Sequence, residues 1–195
     1  MKAQTVLPGG YQEVCRIDLQ KNKRQALLVN GAALLIAAAM IIPMCFYVPV
    51  ATLFDFSAGI IPYSLRFLCL IVGILFYIVL HELVHAAVMR LCGTRKVNFG
   101  FTGLYAFAGS TDYYDRTHYI TIALAPIVVW GIVLAILNAV IPVAWFWVVY
   151  FIQVTNISGA AGDLYVSLRM AKLPRDLLVQ DSGVSMIVYA PQTNG

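Results

Sequence analysis

Long apolar runs, separated by short polar breaks, dominate the chain. Four of them are long enough to cross a bilayer as helices, which takes about 20 residues at a rise of about 1.5 Å each. These runs are residues 26–48, 63–89, 117–139 and 143–168. The breaks carry turn-forming residues, such as Pro49 and Pro62 after the first run and Pro142 before the fourth. The pattern predicts an all-α multi-pass membrane protein, with four transmembrane helices in one membrane-embedded domain over residues 1–195.

The composition supports a membrane location. Hydrophobic residues make up 61% of the chain and charged residues 11%, and the mean hydropathy is +0.82. A soluble domain usually has about a quarter charged residues, so a large soluble catalytic domain is excluded. The chain stays polar through Gln25, unlike a signal peptide, and we expect the first run to be retained as a span.

The basic residues predict the orientation in the cell membrane. Four spans place both termini on the same side as the segment between the second and third spans. Of the 13 Lys and Arg residues, only Arg66 falls on the opposite side. The positive-inside rule therefore predicts cytoplasmic tails at residues 1–25 and 169–195. Because the basic residues flank apolar runs and do not cluster on one face, no nucleic-acid partner is expected.

The helical pattern stops between the second and third spans. Apolar residues alternate with others over residues 97–101, Gly103 can turn the chain, and the alternation resumes at Tyr105. This pattern predicts a small β-hairpin on the cytoplasmic side. A similar short apolar run occupies residues 184–189 of the tail.

The second span contains the sequence His81-Glu82-Leu83-Val84-His85. Residues four apart share a helix face, so both imidazoles can reach one zinc ion. Glu82 lies beside that face, where it can act as a general base towards water. Ionisable groups inside a span are costly and usually mark a function. The alternative interpretation is an interhelical hydrogen-bond cluster without metal.

A catalytic zinc ion needs a third protein ligand and an open position. The candidates are Asp163, His118, Asp112 and Asp115, with Asp55 on the far side of the membrane. Depth favours Asp163, which lies about 9 Å above the cytoplasmic boundary, against about 14 Å for His81 and about 8 Å for His85. Asp163 also follows a tract of small residues, 158–162, which would let a neighbouring helix approach closely.

Two further polar residues are candidates for binding substrate or an oxyanion. Asn156 is seven residues before Asp163, roughly on the same face, where it could bond the substrate, orient a ligand or bridge two helices. His118 stands at the cytoplasmic mouth of the third span, where it could donate to an oxyanion, replace Asp163 as a ligand or simply be solvated. Within the same span, Pro126 leaves the carbonyl of Ile122 without its helical donor.

Together these residues resemble the membrane-embedded zinc peptidases of the site-two protease type. They resemble more closely the short bacterial membrane proteins of the putative zincin peptidase family. The matching segments are Leu7-Pro8-Gly9-Gly10-Tyr11, His81-Glu82-Leu83-Val84-His85-Ala86, Leu124-Ala125-Pro126, Asn156 with Gly162-Asp163-Leu164, and Asp181-Ser182-Gly183. The resemblance implies that His81, His85 and Asp163 are zinc ligands and that Glu82 is the catalytic base.

The sequence therefore favours an intramembrane zinc metallopeptidase that hydrolyses membrane-associated protein or peptide substrates. An extended substrate segment could pair with the predicted hairpin as an added strand. The alternative is a non-catalytic metal-binding membrane scaffold or chaperone, which would keep the metal ligands but would not need Glu82. A metal transporter ranks last, because the outer halves of the spans offer only Arg66 and scattered small polar groups. The oligomeric state stays open.

Overall fold

The computed structural model of the protein describes residues 3–103 and 105–192. Within these residues, four helical segments are long and apolar enough to cross a membrane. They are α1 (Lys23–Tyr47), α2 (Ile60–Leu91), α3 (Arg116–Val140) and the segment Val143–Ala171, which contains α4 (Phe146–Gly159) and α5 (Ala161–Ala171). The prediction of an all-α protein is confirmed only in part: the chain is mostly helical and has four candidate spans, but it also contains small antiparallel sheets. The single domain and the cytoplasmic termini stay predictions.

The candidate spans expose much of their apolar surface. Leu35 of α1 is 73% exposed and Ile61 of α2 is 78% exposed. Soluble monomers rarely show continuous apolar surface of this extent, whereas lipid chains would cover it without cost. The exposure is consistent with a multi-pass membrane protein.

The described residues also contain six short strands. They are β1 (Tyr11–Ile17), β2 (Asn98–Phe101), β3 (Ala106–Gly109), β4 (Tyr113–Asp115), β5 (Leu178–Asp181) and β6 (Met186–Pro191). β2 and β3 form an antiparallel hairpin, as predicted, and Gly103 in its turn has a φ of 89°. Leu104 of the same turn lies outside the described residues. The other strands form an antiparallel sheet in the order β1-β6-β5-β4, which the sequence analysis did not predict.

The chain divides into two compact units, and the first contains all six strands. It comprises the described residues up to Val29, Glu82–Ala125, and those from Gly162 onwards. Its core lies where the four-stranded sheet packs on helix ends, with Met89, Met170, Val179 and Val188 almost fully buried. Apolar burial between sheet and helices therefore holds this unit together.

Two glycines bring the hairpin against the turn between β5 and β6. A Cβ atom on Gly109 would collide with the backbone of Ser182, and one on Gly183 would collide with the ring of Phe107. Gly183 also has a φ of 83°, which side chains other than glycine rarely adopt. Both positions therefore require glycine.

The second unit is built from helices. It comprises Asn30–His81 and Pro126–Ala161. Its small core contains Leu53, from a 3₁₀ turn after α1, and Trp147 and Val148 of α4.

Arg66 is buried in this second unit and is 4% exposed. Its guanidinium donates to the carbonyl oxygens of Thr52 at 2.9 Å, Ala144 at 3.4 Å and Asp55. Three backbone acceptors thus compensate for the lost hydration of a buried cation. This explains how α2 accommodates Arg66, the one basic residue that the charge pattern places on the outer side.

Candidate metal centre

His81 and His85 lie one turn apart on α2, which is unbroken from Ile60 to Leu91. The two side chains share a face of the helix because they are four residues apart. The residues are 9% and 8% exposed, respectively. Rings with so little access to water need their polar atoms satisfied inside the protein.

The ring of His85 is oriented by a backbone carbonyl. Its Nδ1 atom lies 2.9 Å from the carbonyl oxygen of Ile122 in α3. A carbonyl only accepts, so Nδ1 carries a proton, and in the neutral ring Nε2 then has the lone pair. In an uninterrupted helix, the N–H of residue 126 would donate to this carbonyl, but that residue is Pro126, which has no N–H. The proline therefore leaves the carbonyl of Ile122 available to His85.

Asp163 lies close to the other side of the His85 ring. The distance from Nε2 of His85 to Oδ1 of Asp163 is 3.7 Å. Asp163 lies in the first turn of α5, where N–H groups lack intrahelical partners and the helix dipole favours a carboxylate. The start of a helix thus supports the negative charge of this side chain.

The sequence predicts one continuous helix for the fourth candidate span, but the structure contains two. Asp163 is in the first turn of the second of them, α5. α4 ends at Gly159, and Ala160 separates it from α5. A Cβ atom on Gly162 would meet no atom within 4 Å, so this glycine does not mark a close helix contact. The tract of small residues is therefore the place where the helix is interrupted.

The ring of His81 is oriented by side chains. The Tyr77 hydroxyl donates to Oδ1 of Asn156 at 2.8 Å and lies 2.8 Å from Nδ1 of His81. The hydroxyl has one proton, which it gives to the amide, so Nδ1–H of His81 donates to the tyrosine oxygen. The Nδ2 atom of Asn156 donates in turn to the carbonyl of Ile127 at 3.3 Å. In the neutral ring of His81, Nε2 therefore has the lone pair as well.

His81, His85 and Asp163 form a group that could hold a metal ion. One ligand atom from each residue lies within 4.8 Å of the other two. Two imidazole nitrogens and one carboxylate oxygen match the protein donor set of catalytic zinc. The outer bonds from Nδ1 of each ring are those that metal-binding histidines usually make, so the residues present fit this ion. In the described part of the chain, no other group of three such side chains has this spacing.

Glu82 follows His81 directly and does not belong to the ligand group. Its side chain is partly buried, and its carboxylate is close enough to His85 to interact with it electrostatically. A carboxylate beside a metal ligand set is chemically able to act as a general base towards water.

His118 and Asp115 lie outside the ligand group and bond to each other. The His118 ring nitrogen Nδ1 is 2.7 Å from Oδ2 of Asp115, and the backbone N–H of His118 donates to Oδ1 at 3.0 Å. Burial alone would raise the pKa of Asp115, but these two bonds lower it below the ordinary value. The pair therefore caps the start of α3. Asp112 and Asp55 are not in the group either.

Sequence reasoning named Asn156 but missed Tyr77. Tyr77 is four residues before His81, so the same spacing that pairs His81 with His85 places Tyr77 on their face of α2. That spacing was the available signal. Asn156 is completely buried and both ends of its amide are bonded, which favours its predicted role of orienting a ligand over that of touching substrate.

Comparison with known proteins adds a family match. A sequence profile for a family described as putative zincin peptidases matches residues 74–178, which include the ligand group, Glu82 and Tyr77. An "uncharacterized 24.7 kDa protein in gap 5'region" of Pyrococcus woesei is 28% identical over 123 residues. That alignment covers 60% of this chain and 53% of the relative, so the chain spans about half the length of the curated relative that it matches. No solved structure matches the chain.

Proposed function

Because the chain belongs to the putative zincin peptidase family, we propose that it is an intramembrane zinc metallopeptidase. Its substrates are membrane-associated proteins or peptides. The observation that carries the proposal is the group of His81, His85 and Asp163, with Glu82 beside it on the same helix as the two histidines.

The three ligand side chains would hold Zn²⁺ through two imidazole nitrogens and a carboxylate oxygen. When bound there, zinc would lower the pKa of its bound water to about 7 and would polarise the carbonyl oxygen of the peptide bond. Glu82 accepts the proton of the attacking water and later returns it to the leaving amine. The bonds from Nδ1 of His81 and of His85 place the proton of each neutral ring on Nδ1, so that Nε2 would be the metal-binding atom.

The location of the centre points to the class of substrate. His81, Glu82 and His85 lie inside a candidate span, and so does Asp163. A peptide bond that reaches them must belong to a chain associated with the bilayer. The orientation with both termini in the cytoplasm is part of the proposal and rests on the distribution of Lys and Arg.

The hairpin offers a place for an extended substrate segment. In the sheet topology of the described residues, β2 pairs only with β3, so its outer edge can accept another strand. His118, whose side chain is 35% exposed, is a candidate for contact with the bound segment. We place Asn156 in the support of the metal ligands instead.

The test is Glu82→Gln in the full-length protein, reconstituted in vesicles with a single-span reporter. We expect unchanged zinc stoichiometry and a fall in the cleavage rate of about 100-fold or more, because amide replaces the general base. Glu13→Gln is the matched control, since Glu13 is the other glutamate of the chain and pairs with Arg16 on the surface. The control should cleave at the wild-type rate.

The same experiment separates the proposal from its alternative. A Glu82→Gln protein that cleaves normally would contradict the assignment of the base. A wild-type protein that binds zinc but cleaves nothing would favour the non-catalytic metal-binding scaffold or chaperone.

A further inference from the structure

We propose that Tyr77 is a positioning residue of the metal centre. It fixes the tautomer and the orientation of the His81 ring through a hydrogen-bond relay that runs by way of Asn156 to the carbonyl of Ile127. The inference rests on the proposed function in one respect, namely that His81 is a metal ligand.

The relay is buried and continuous. Tyr77 is 5% exposed and Asn156 is 0% exposed, so neither can exchange its partner for bulk water. The successive distances are 2.8 Å from His81 Nδ1 to the tyrosine oxygen, 2.8 Å from that oxygen to the asparagine Oδ1, and 3.3 Å from Nδ2 to the carbonyl of Ile127. All four residues belong to the second unit.

The relay has only one direction. The carbonyl of Ile127 can only accept, so it selects the amino end of the Asn156 amide. The amide oxygen then takes the single proton of Tyr77, and the tyrosine oxygen is left to accept from His81. When the ring is neutral, its one proton is therefore on Nδ1, and Nε2 has the lone pair that can bind a cation.

Removing either side chain should release the ring. Without the hydroxyl of Tyr77, His81 can also adopt the tautomer with its proton on Nε2, which cannot bind metal through that atom. Outer partners of metal-binding histidines typically account for about 10- to 100-fold in metal affinity. We expect Tyr77→Phe to weaken zinc binding by that factor, and Asn156→Leu to weaken it by a similar factor. The double variant should bind no more weakly than either single variant, because Asn156 acts through Tyr77.

The first measurement is zinc affinity of the full-length protein in detergent, by competition with a chelator. Tyr150→Phe is the matched control. Tyr150 is in the same unit and its hydroxyl donates to the carbonyl of Met40 at 2.9 Å, which is not part of the relay. This variant loses the same atom and one hydrogen bond, and it should bind zinc like the wild type.

The second measurement reads the tautomer directly. The chain has three histidines, so ¹⁵N spectra of the metal-free protein with labelled histidine contain three rings, which single replacements can assign. We expect His81 in the wild type to be protonated on Nδ1, and Tyr77→Phe to give a mixture of tautomers. His85, whose partner is a backbone carbonyl, should keep its Nδ1 proton in both proteins.

Two results would overturn the inference. One is a neutral His81 ring in the wild type with its proton on Nε2. This measurement needs no variant, so folding defects cannot affect it. The other is a folded Tyr77→Phe protein with wild-type zinc affinity. Neither measurement uses cleavage, so a protein that binds zinc in this way but hydrolyses nothing would refute the proposed function and leave the role of Tyr77 intact.

Discussion

The two histidines of the candidate metal centre sit on adjacent turns of one helix, yet different parts of the structure orient them. His85 bonds directly to the backbone carbonyl of Ile122, which Pro126 leaves available. His81 bonds to Tyr77, which depends in turn on Asn156. The comparison shows that one ring depends on a missing backbone donor, whereas the other depends on two side chains that can be removed one at a time.

The largest expected effect comes from removing the rings themselves, where the two histidines should be equivalent. We expect His81→Ala and His85→Ala each to lower zinc affinity by more than about 100-fold, above the usual effect of an outer partner. Metal analysis of the purified proteins after dialysis would measure this loss. Full zinc content in only one of the two variants would show that the rings do not share an ion.

Asp163→Ala tests the proposed third ligand of the metal ion. We expect most of the metal to be lost in detergent, because two imidazoles alone leave the ion without a negative ligand. The zinc-to-protein ratio is the measurement. An unchanged ratio would move the third ligand to His118 or to an aspartate near the hairpin.

Pro126→Ala tests the support of His85 alone, and its two effects should have opposite signs. The restored N–H competes with His85 for the carbonyl of Ile122, so zinc affinity should fall, by about tenfold or less because that oxygen can accept twice. The free energy of unfolding should rise, by less than about 3 kcal/mol, since α3 regains a backbone hydrogen bond but the protein loses the packing of the buried proline ring. Chelator competition and thermal unfolding of the metal-free protein measure the two effects.

Pro43→Ala provides the control for that experiment. Pro43 is also inside a helix, α1, and its replacement should stabilise the protein without changing zinc affinity. Equal zinc affinities for Pro126→Ala and Pro43→Ala would mean that the carbonyl of Ile122 does not orient His85 through the missing donor.

The smallest effect is expected at the third histidine, His118, which lies outside the ligand group. His118→Ala and Asp115→Asn should leave zinc affinity unchanged and cost about 1 kcal/mol of stability or less, as for a helix cap. The pKa of Asp115 lies below its ordinary value of 3.8 in the folded protein, so the contribution of its charge is present above that value and is lost as the pH falls through the lowered pKa. Unfolding measured at several pH values should show this loss in the wild type and not in Asp115→Asn. Loss of zinc in either variant would extend the ligand set to this pair.

Local patterns were enough to predict the spans and most of the candidate centre. An apolar run of about 20 residues is a strong signal by itself, and the spacing of His81 and His85 needs only one helix. Asp163 was favoured by its depth in the fourth span, and the structure brings it beside His85.

The missed features depend on residues far apart in the chain. β1 pairs with β6, which is near the other end of the sequence. Only Ile17 of the seven residues of β1 is buried, so the sequence of β1 does not alternate in the way that predicts a strand. Tyr77 looks like one more large residue in an apolar run until its bond to Asn156, 79 residues away, is known. The interruption at Ala160 lies in a tract of small residues, and such a tract predicts close approach of a neighbouring helix more readily than a helix end.

If Pro126→Ala has the two expected effects, heat resistance and metal retention are competing traits at this position. In a randomised library screened only for survival at high temperature, replacements of this proline should be recovered repeatedly. A screen that also requires bound zinc should not recover these replacements.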